Sequence, residues 1–202
     1  MTPLGKTITQ KTITLPLIFC LACSCLAQAQ TGTPPTLTLP NDSVYQTPLT
    51  LRDQNGNIFS LDALRGHPVI ISMMYASCKT ACPLNIETIK RIRAAAKQKS
   101  GHSAPPVVMI SFNPKQDTVQ KLAMMANMHH LTAPDWRFTR PEQGDVRAFA
   151  ASLGISYRIR PNGEISHNVE IVLLDKAGRI IAKTEQLDTI DTSFVNQVAN
   201  TN

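Results

Sequence analysis

Two cysteines, Cys78 and Cys82, are separated by three residues in the segment MMYASCKTACPLNIETIKRI. Thiolates are soft ligands that select copper(I), zinc or iron–sulfur clusters. If the intervening residues are nearly helical, the two Cβ atoms lie about 5–6 Å apart on one face. That separation suits a shared metal ion and, after a modest adjustment, a disulfide. The spacing therefore leaves three chemistries open: a metal site, a redox couple and a structural disulfide.

A metal site at this pair needs further ligands. Structural zinc usually takes four protein ligands, and no second cysteine pair follows residue 30. Histidine, methionine or water would have to complete the site. The histidine candidates are His67, His102, His129, His130 and His167. His167 precedes a long apolar segment and follows a polar loop, where a lone histidine is typically solvated. Periodicity alone does not show whether the His167 side chain lies near the two thiols.

The other three cysteines, Cys20, Cys23 and Cys25, belong to an N-terminal segment with the layout of an export signal. Two lysines precede an apolar run over residues 13–27, and Ala27-Gln28-Ala29 is a small-x-small cleavage pattern. The run is short for a membrane span, which needs about 20 apolar residues. We expect a signal peptide over residues 1–29. An uncleaved anchor, or a lipid-modified start at Cys23, are the alternatives.

Composition narrows the class of protein. The chain has 202 residues and a formal charge of +6, and its basic residues are scattered along the sequence without a basic stripe. This pattern argues against nucleic-acid binding. An exported domain held by disulfides would carry more cysteines at wider spacing. We expect an exported monomer, either periplasmic or on the outer face of the inner membrane.

The elements that must position the cysteines alternate between strand and helix. Asn55-Gly56 predicts a β-hairpin, and the apolar run up to Tyr75 predicts a buried strand that leads into a helix from about Cys82 to Lys99. The further predicted elements are a strand near 107–112, a helix over 117–128, a short strand at 136–140, a helix over 141–154, an extended segment at 155–159, a hairpin within 168–185 and a helix at 192–200. This order predicts an α/β fold, a mixed central sheet with helices on both faces and an N-terminal β-hairpin. One domain should cover residues 45–202, after a flexible lead-in at 30–44.

The segment MMANMHH, residues 124–130, invites a second metal site, because methionine and histidine both bind copper. We interpret it as a helix end instead. Met124, Met125 and Met128 should lie on the apolar side of the helix.

Several stretches together resemble the Sco/SenC/PrrC family of thioredoxin-fold copper proteins, which are tied to cytochrome oxidase assembly. The resemblance covers roughly residues 49–184. It is carried by LRDQNGNIFSLDALRGHPVIISMMYASCKTACP, VVMISFNPKQDTVQKL, DWRFTRPEQGDVRAFAASLGISY and SHNVEIVLLDKAGRII. The chain departs from the family pattern at Tyr75-Ala76-Ser77, at Lys79 and at Asn113, which stands where aspartate is usual.

The resemblance implies a thioredoxin-like fold and a copper site made by Cys78, Cys82 and His167. It implies a metallochaperone that holds one copper ion, as Cu(I) or Cu(II), and delivers it to the copper-accepting subunit of a terminal oxidase. The alternative is a thiol–disulfide oxidoreductase in which Cys78 and Cys82 are catalytic and keep the oxidase cysteines reduced. Another copper chaperone or a thioredoxin-like reductant would be a further partner.

Overall fold

The computed structural model describes residues 39–201 and the isolated Gly5. The predicted signal peptide, its three cysteines and most of the predicted lead-in lie outside the described residues. Within the described part of the chain, no helix combines the length and apolar character needed to cross a membrane.

Strands and α-helices alternate between residues 69 and 152, and consecutive strands lie before and after this stretch. The strands are β1 Leu49–Asp53, β2 Ile58–Ser60, β3 Val69–Met74, β4 Val107–Ser111, β5 Trp136–Gly144, β6 Tyr157–Ile159, β7 Ile165–His167, β8 Ile171–Leu174 and β9 Ile180–Thr184. The helices are α1 Ala81–Ser100, α2 Val119–Met128, α3 Val146–Ser152 and α4 Thr192–Ala199.

Seven strands form one mixed sheet in the order β2-β1-β5-β4-β3-β8-β9. The central strands β3, β4 and β5 are parallel, and β1 and β8 run antiparallel to their neighbours. Every residue of β3 is buried, because helices cover both faces. Ile70 and Met74 pack against α1, α2 and α4, whereas Ile71 and Met73 pack on the side that carries α3. The prediction of a thioredoxin-like mixed sheet with helices on both faces is confirmed.

The predicted helix over residues 141–154 begins too early. Pro141 lies in β5 opposite Leu51, and the helix begins only at Val146. The side chain of Asp145 accepts hydrogen bonds from the first free N–H groups of α3, which fixes the helix start there. Gly144 ends the strand with φ +108, and a Cβ at this position would lie 2.4 Å from the Pro48 carbonyl oxygen. Only glycine fits at this position, where the end of β5 passes close to the Pro48 backbone.

Residues 157–167 form a hairpin that the sequence analysis did not find. Strands β6 and β7 make a separate two-stranded sheet, with Tyr157 opposite His167 and Ile159 opposite Ile165. A turn at Asn162-Gly163 joins them, and Gly163 has φ +83. His167 therefore ends a hairpin strand, rather than lying in an open loop before β8.

The segment that begins at residue 39 packs against the rest of the domain. Ser43 and Val44 are buried, and Val44 N–H donates to the Gly178 carbonyl at 2.9 Å. The domain therefore begins before residue 45, inside the predicted lead-in.

Candidate metal centre

The cysteines lie where the buried strand β3 ends and helix α1 begins. Cys78 closes a turn in which its N–H donates to the Tyr75 carbonyl at 3.1 Å. Cys82 is the second residue of α1, and this helix begins without a side-chain cap and without an acidic residue in its first turn. The free N–H groups at such a helix start favour a negative charge. The fold therefore presents both sulfurs to a region that stabilises thiolate.

The two thiols have opposite environments. Cys78 is half-buried and its Sγ accepts the Cys82 backbone N–H at 3.3 Å, whereas Cys82 is 1% exposed. A hydrogen bond from the Cys82 thiol, together with backbone N–H groups, lowers the pKa of Cys78 to about 5 although burial opposes this. The same thiol hydrogen bond and burial raise the pKa of Cys82. At neutral pH Cys78 is the thiolate and Cys82 the thiol. Both are free in the structure.

Tyr75 connects the cysteine turn with the β6–β7 hairpin. Its hydroxyl forms a hydrogen bond with the Cys78 sulfur and another with the backbone of Ile165 in β7. Burial raises the pKa of Tyr75 above its ordinary value, so its hydroxyl keeps the proton it donates. Its ring also stands edge-on to the His167 imidazole, with 6.1 Å between centroids. The sequence analysis noted Tyr75 only as a departure from the family pattern and did not assign it a role.

The His167 ring is held in one tautomer. Its Nδ1 lies 2.7 Å from the Asn168 carbonyl oxygen, which can only accept, so Nδ1 carries the hydrogen. Nε2 then keeps its lone pair and is available to a metal ion. The ring also packs against Phe112 at 4.7 Å between centroids. These contacts orient the imidazole as metal-ligating histidines are commonly oriented.

Asp117 is a second residue that sequence reasoning missed. It is 1% exposed, accepts a hydrogen bond from the Ser111 hydroxyl and another from the Ala76 backbone, and so fastens the cysteine turn to the end of β4. Burial raises the pKa of this carboxyl. Asp117 directly precedes Thr118, the N-cap residue of α2. Its position in the sequence gives no sign that its side chain contacts the cysteine turn.

A cleft of about 1020 Å³ contains part of the predicted ligand set. Cys78 and His167 both line it, together with Tyr75, Asn113 and Ile165, while Cys82 is buried in the core next to Cys78. Among the described residues, no three histidine, cysteine or acidic side chains stand close enough together to hold a metal ion. The structure thus brings the two sulfurs into contact and puts His167 on the same cleft, without closing a three-ligand centre.

The remaining histidines lie elsewhere. His129 pairs with Glu87 at 3.3 Å, and His67, His102 and His130 are exposed. The prediction that three methionines of α2 pack on its apolar side is wrong for two of them. Met125 is buried, but Met124 and Met128 are 64% and 71% exposed. The buried positions of this helix are 122, 125 and 126, and residues 124 and 128 share the opposite side.

Comparison with known proteins identifies one family. The model of the SCO1/SenC family matches residues 38–200. The SCO1 protein homolog of Bacillus subtilis is 24% identical over 175 residues, 85% of either chain. A SCO2-like protein of Rickettsia prowazekii is 29% identical over 138 residues, which cover 65% of this chain and 65% of that protein's length.

Solved structures agree on the fold. Arabidopsis thaliana ScoI with copper bound is 19% identical and has a TM-score of 0.64, covering 75% of this chain and 94% of its own. Yeast Sco1 with copper bound is 17% identical and has a TM-score of 0.58, covering 76% of this chain and 86% of its own. At these identities the likeness establishes the shared fold.

Proposed function

The chain belongs to the SCO1/SenC family, and from this premise we propose that it binds one copper ion and delivers it to the copper-accepting subunit of a terminal oxidase. Copper is present in the solved structures of the Arabidopsis and yeast relatives. The observation that carries the proposal is the Cys78 thiolate, in contact with Cys82 on a cleft whose other side carries His167.

The proposed ligands are Cys78, Cys82 and Nε2 of His167. Two thiolates and one imidazole suit copper(I), and copper(II) could use the same set. Cys78 is already ionised at neutral pH, but Cys82 must lose its proton to bind. Copper affinity should therefore rise with pH.

Completing this ligand set requires His167 to approach the sulfurs. The β6–β7 hairpin pairs with no strand of the seven-stranded sheet in the described chain, so its movement would leave that sheet's hydrogen bonds intact. The Tyr75 hydroxyl, which bonds both Cys78 and the Ile165 backbone, is the contact that would have to adjust. Copper would then leave by ligand exchange through the open cleft, with half-buried Cys78 as the accessible ligand. The proposed setting is outside the cytoplasmic membrane, in keeping with the N-terminal sequence.

Copper binding after anaerobic reduction tests this proposal. Wild-type protein should bind about one copper(I) ion in competition with a chelator, and His167→Ala should lose at least as much affinity as the about 10–100-fold seen when a residue that only supports a ligand is changed. The matched control is His102→Ala, because His102 is exposed and remote from the cleft. If His167→Ala binds copper as tightly as wild type while its thiol exchange falls, the copper proposal fails.

A thiol–disulfide oxidoreductase is the second candidate, and the asymmetry of the two cysteines favours it. A low-pKa, accessible Cys78 suits attack on a partner disulfide, and buried Cys82 suits resolution of the mixed disulfide. In this cycle the partner disulfide gains two electrons and two protons, and Cys78 and Cys82 become a disulfide. A thioredoxin-like reductant would restore the dithiol. His167→Ala would leave this exchange intact if the imidazole serves only copper.

A further inference from the structure

Five basic side chains lie in or next to the cleft. Lys79, Lys115 and Lys121 line it beside Cys78, whereas Arg158 and Arg160 line the adjoining pocket, which shares Ser166 and His167 with the cleft. All five are exposed. We call this set the basic rim. These five positions look scattered in the sequence, because they are spread over more than 80 residues and come near one another only in the folded chain.

The basic rim is not neutralised by the chain itself. Elsewhere, basic side chains such as Arg52, Arg140 and Arg179 form ion pairs with carboxylates. Among the described residues, no member of the basic rim has such a partner. Lys121 donates to the Gln116 carbonyl at 2.8 Å and also interacts electrostatically with the buried Asp117 carboxyl. Among the described residues that line the cleft, Glu164 alone is acidic, and it accepts a hydrogen bond from Asn162 at 2.9 Å.

The domain as a whole is also basic. Eighteen of the 20 lysines and arginines and all 14 acidic residues follow residue 38, an excess of four positive charges. The five charges of the basic rim, less those of Glu164 and the Cys78 thiolate, leave three positive charges at the cleft. An acidic partner would therefore be attracted to the cleft.

The rim also carries an apolar contact point. Ile159 lies between the two arginines on β6, lines the cleft and is 52% exposed. Protein interfaces commonly combine an apolar centre with a charged periphery that selects the partner.

We propose that the basic rim and Ile159 form the docking surface for a protein whose own cysteine or copper site is surrounded by carboxylates. This inference rests on the proposed function, since it identifies the chemistry of the partner that meets the same cleft. Attraction between the two rims would increase the association rate, an effect that commonly reaches about 10–10³-fold and falls with salt. The same charges would repel a partner with a basic site. A protein fits this surface better than a membrane does, because three of the charges line a concave cleft that contains the Cys78 sulfur.

Two synthetic peptides test the proposal without copper. Both contain a Cys-x-x-x-Cys disulfide, one flanked by four glutamates and the other by four lysines. The reduced full chain would transfer two electrons to the peptide disulfide and become a disulfide itself, and the rate is followed by peptide thiol release. At low salt we expect the acidic peptide to react at least about 10-fold faster than the basic one, and the ratio to approach one in 1 M salt.

Matched charge reversals identify the surface responsible. Lys115→Glu/Arg160→Glu should abolish the preference for the acidic peptide. Lys97→Glu/Lys176→Glu changes the net charge equally but alters the last turn of α1 and the β8–β9 turn, at the opposite end of the domain. That control should keep the wild-type preference. Equal rates for the two peptides, or an equal effect of both double variants, would overturn the proposal.

Two further measurements separate the remaining outcomes. Sedimentation with phosphatidylglycerol vesicles tests a membrane partner, and rim-dependent pelleting with no peptide preference would overturn the proposal in favour of anionic lipid. Copper stoichiometry is measured separately on each double variant. A chain that binds no copper yet prefers the acidic peptide would contradict the metallochaperone function while supporting the docking surface.

Discussion

The two sides of the cleft are built differently. The cysteine side, residues 75–82, joins the fully buried strand β3 to the 20-residue helix α1, and Asp117 fastens its turn from beneath. The hairpin side, residues 157–167, has three residues in each strand and no strand partner in the main sheet of the described chain. One side is fixed by the core, and the other rests on a few contacts through Ile165, Phe112 and Tyr75.

This difference separates the two chemistries that the site could perform. Thiol exchange needs only Cys78 and Cys82, which lie together on the fixed side. Copper binding through three ligands needs both sides. Changes to the cysteine side should therefore affect both activities, whereas changes to the packing of the hairpin side should affect copper binding more than thiol exchange.

Removal of one thiol should have the largest effect. In Cys82→Ser, the hydroxyl does not ionise to bind copper and cannot form a disulfide, so both activities should disappear. Copper affinity should fall by more than the about 10–100-fold expected for a supporting residue. Chelator competition and peptide disulfide exchange measure the two losses. The control is Ser77→Ala, an exposed neighbour. If Cys82→Ser still bound one copper ion in the presence of the competing chelator, copper binding would not need both cysteines, and the proposed division between the two sides would be wrong.

Loosening the hairpin should affect copper selectively. Ile165 is 5% exposed and packs into the core with Phe112, so Ile165→Ala removes about 2–5 kcal/mol of packing, mostly from the seat of the hairpin. We expect copper affinity to fall while the rate of disulfide exchange stays within about twofold of wild type, since the sulfurs are seated independently.

The control for the effect of this change on stability is on the same hairpin. Ile159→Ala alters a side chain that is 52% exposed and should change the free energy of unfolding by less than about 0.5 kcal/mol. A parallel loss of copper binding and thiol exchange in Ile165→Ala would mean that the hairpin also shapes the cysteine turn.

Substitution of Asp117, which holds the cysteine turn, should have a smaller and pH-dependent effect on the free energy of unfolding. In Asp117→Asn, an amide N–H₂ meets groups that already donate, from Ser111 and Ala76, so we expect a loss of about 1–3 kcal/mol. Because the pKa of Asp117 is higher in the folded than in the unfolded state, protonation of Asp117 stabilises the folded state. This contribution to the free energy of unfolding is fully present below the ordinary pKa of 3.8 and is lost as pH rises through the raised pKa.

Urea unfolding at a series of pH values measures this effect. The difference between wild type and Asp117→Asn should be widest below pH 3.8 and should narrow as pH rises. Asp188→Asn, at an exposed position, is the matched control. A difference independent of pH would mean that Asp117 is not titrating in this environment.

The smallest effect should come from the hydroxyl that links the two sides. The alkylation rate of Cys78 should rise with a midpoint near pH 5, the lowered pKa of its thiol. Tyr75→Phe removes one donor to the thiolate, so the midpoint should move upward by about one pH unit or less. Tyr157→Phe keeps its ring against Phe112 and should leave the midpoint unchanged. A wild-type midpoint near 9 would contradict the assigned roles of the two thiols.

The alternation of buried strands and amphipathic helices was readable along the chain because each depends on local periodicity. The start of α3 was misplaced because Pro141 resembles a first-turn proline, whereas pairing with Leu51 keeps it in the sheet. The β6–β7 hairpin was missed because three-residue strands carry too little periodicity to distinguish from a polar loop.

The sequence by itself determined the fold class, the cysteine pair and, through family resemblance, the choice of His167. The fold class and the cysteine pair depend on periods and spacings that neighbouring residues carry, whereas His167 as a proposed ligand came from the family resemblance alone. Only the tertiary structure decided which thiol is ionised, that Tyr75 and Asp117 hold the cysteine turn, and that scattered basic residues meet at one cleft. Desolvation, hydrogen bonding and electrostatic fields depend on distances in space, and residues remote in sequence acquire those distances only when the sheet is assembled.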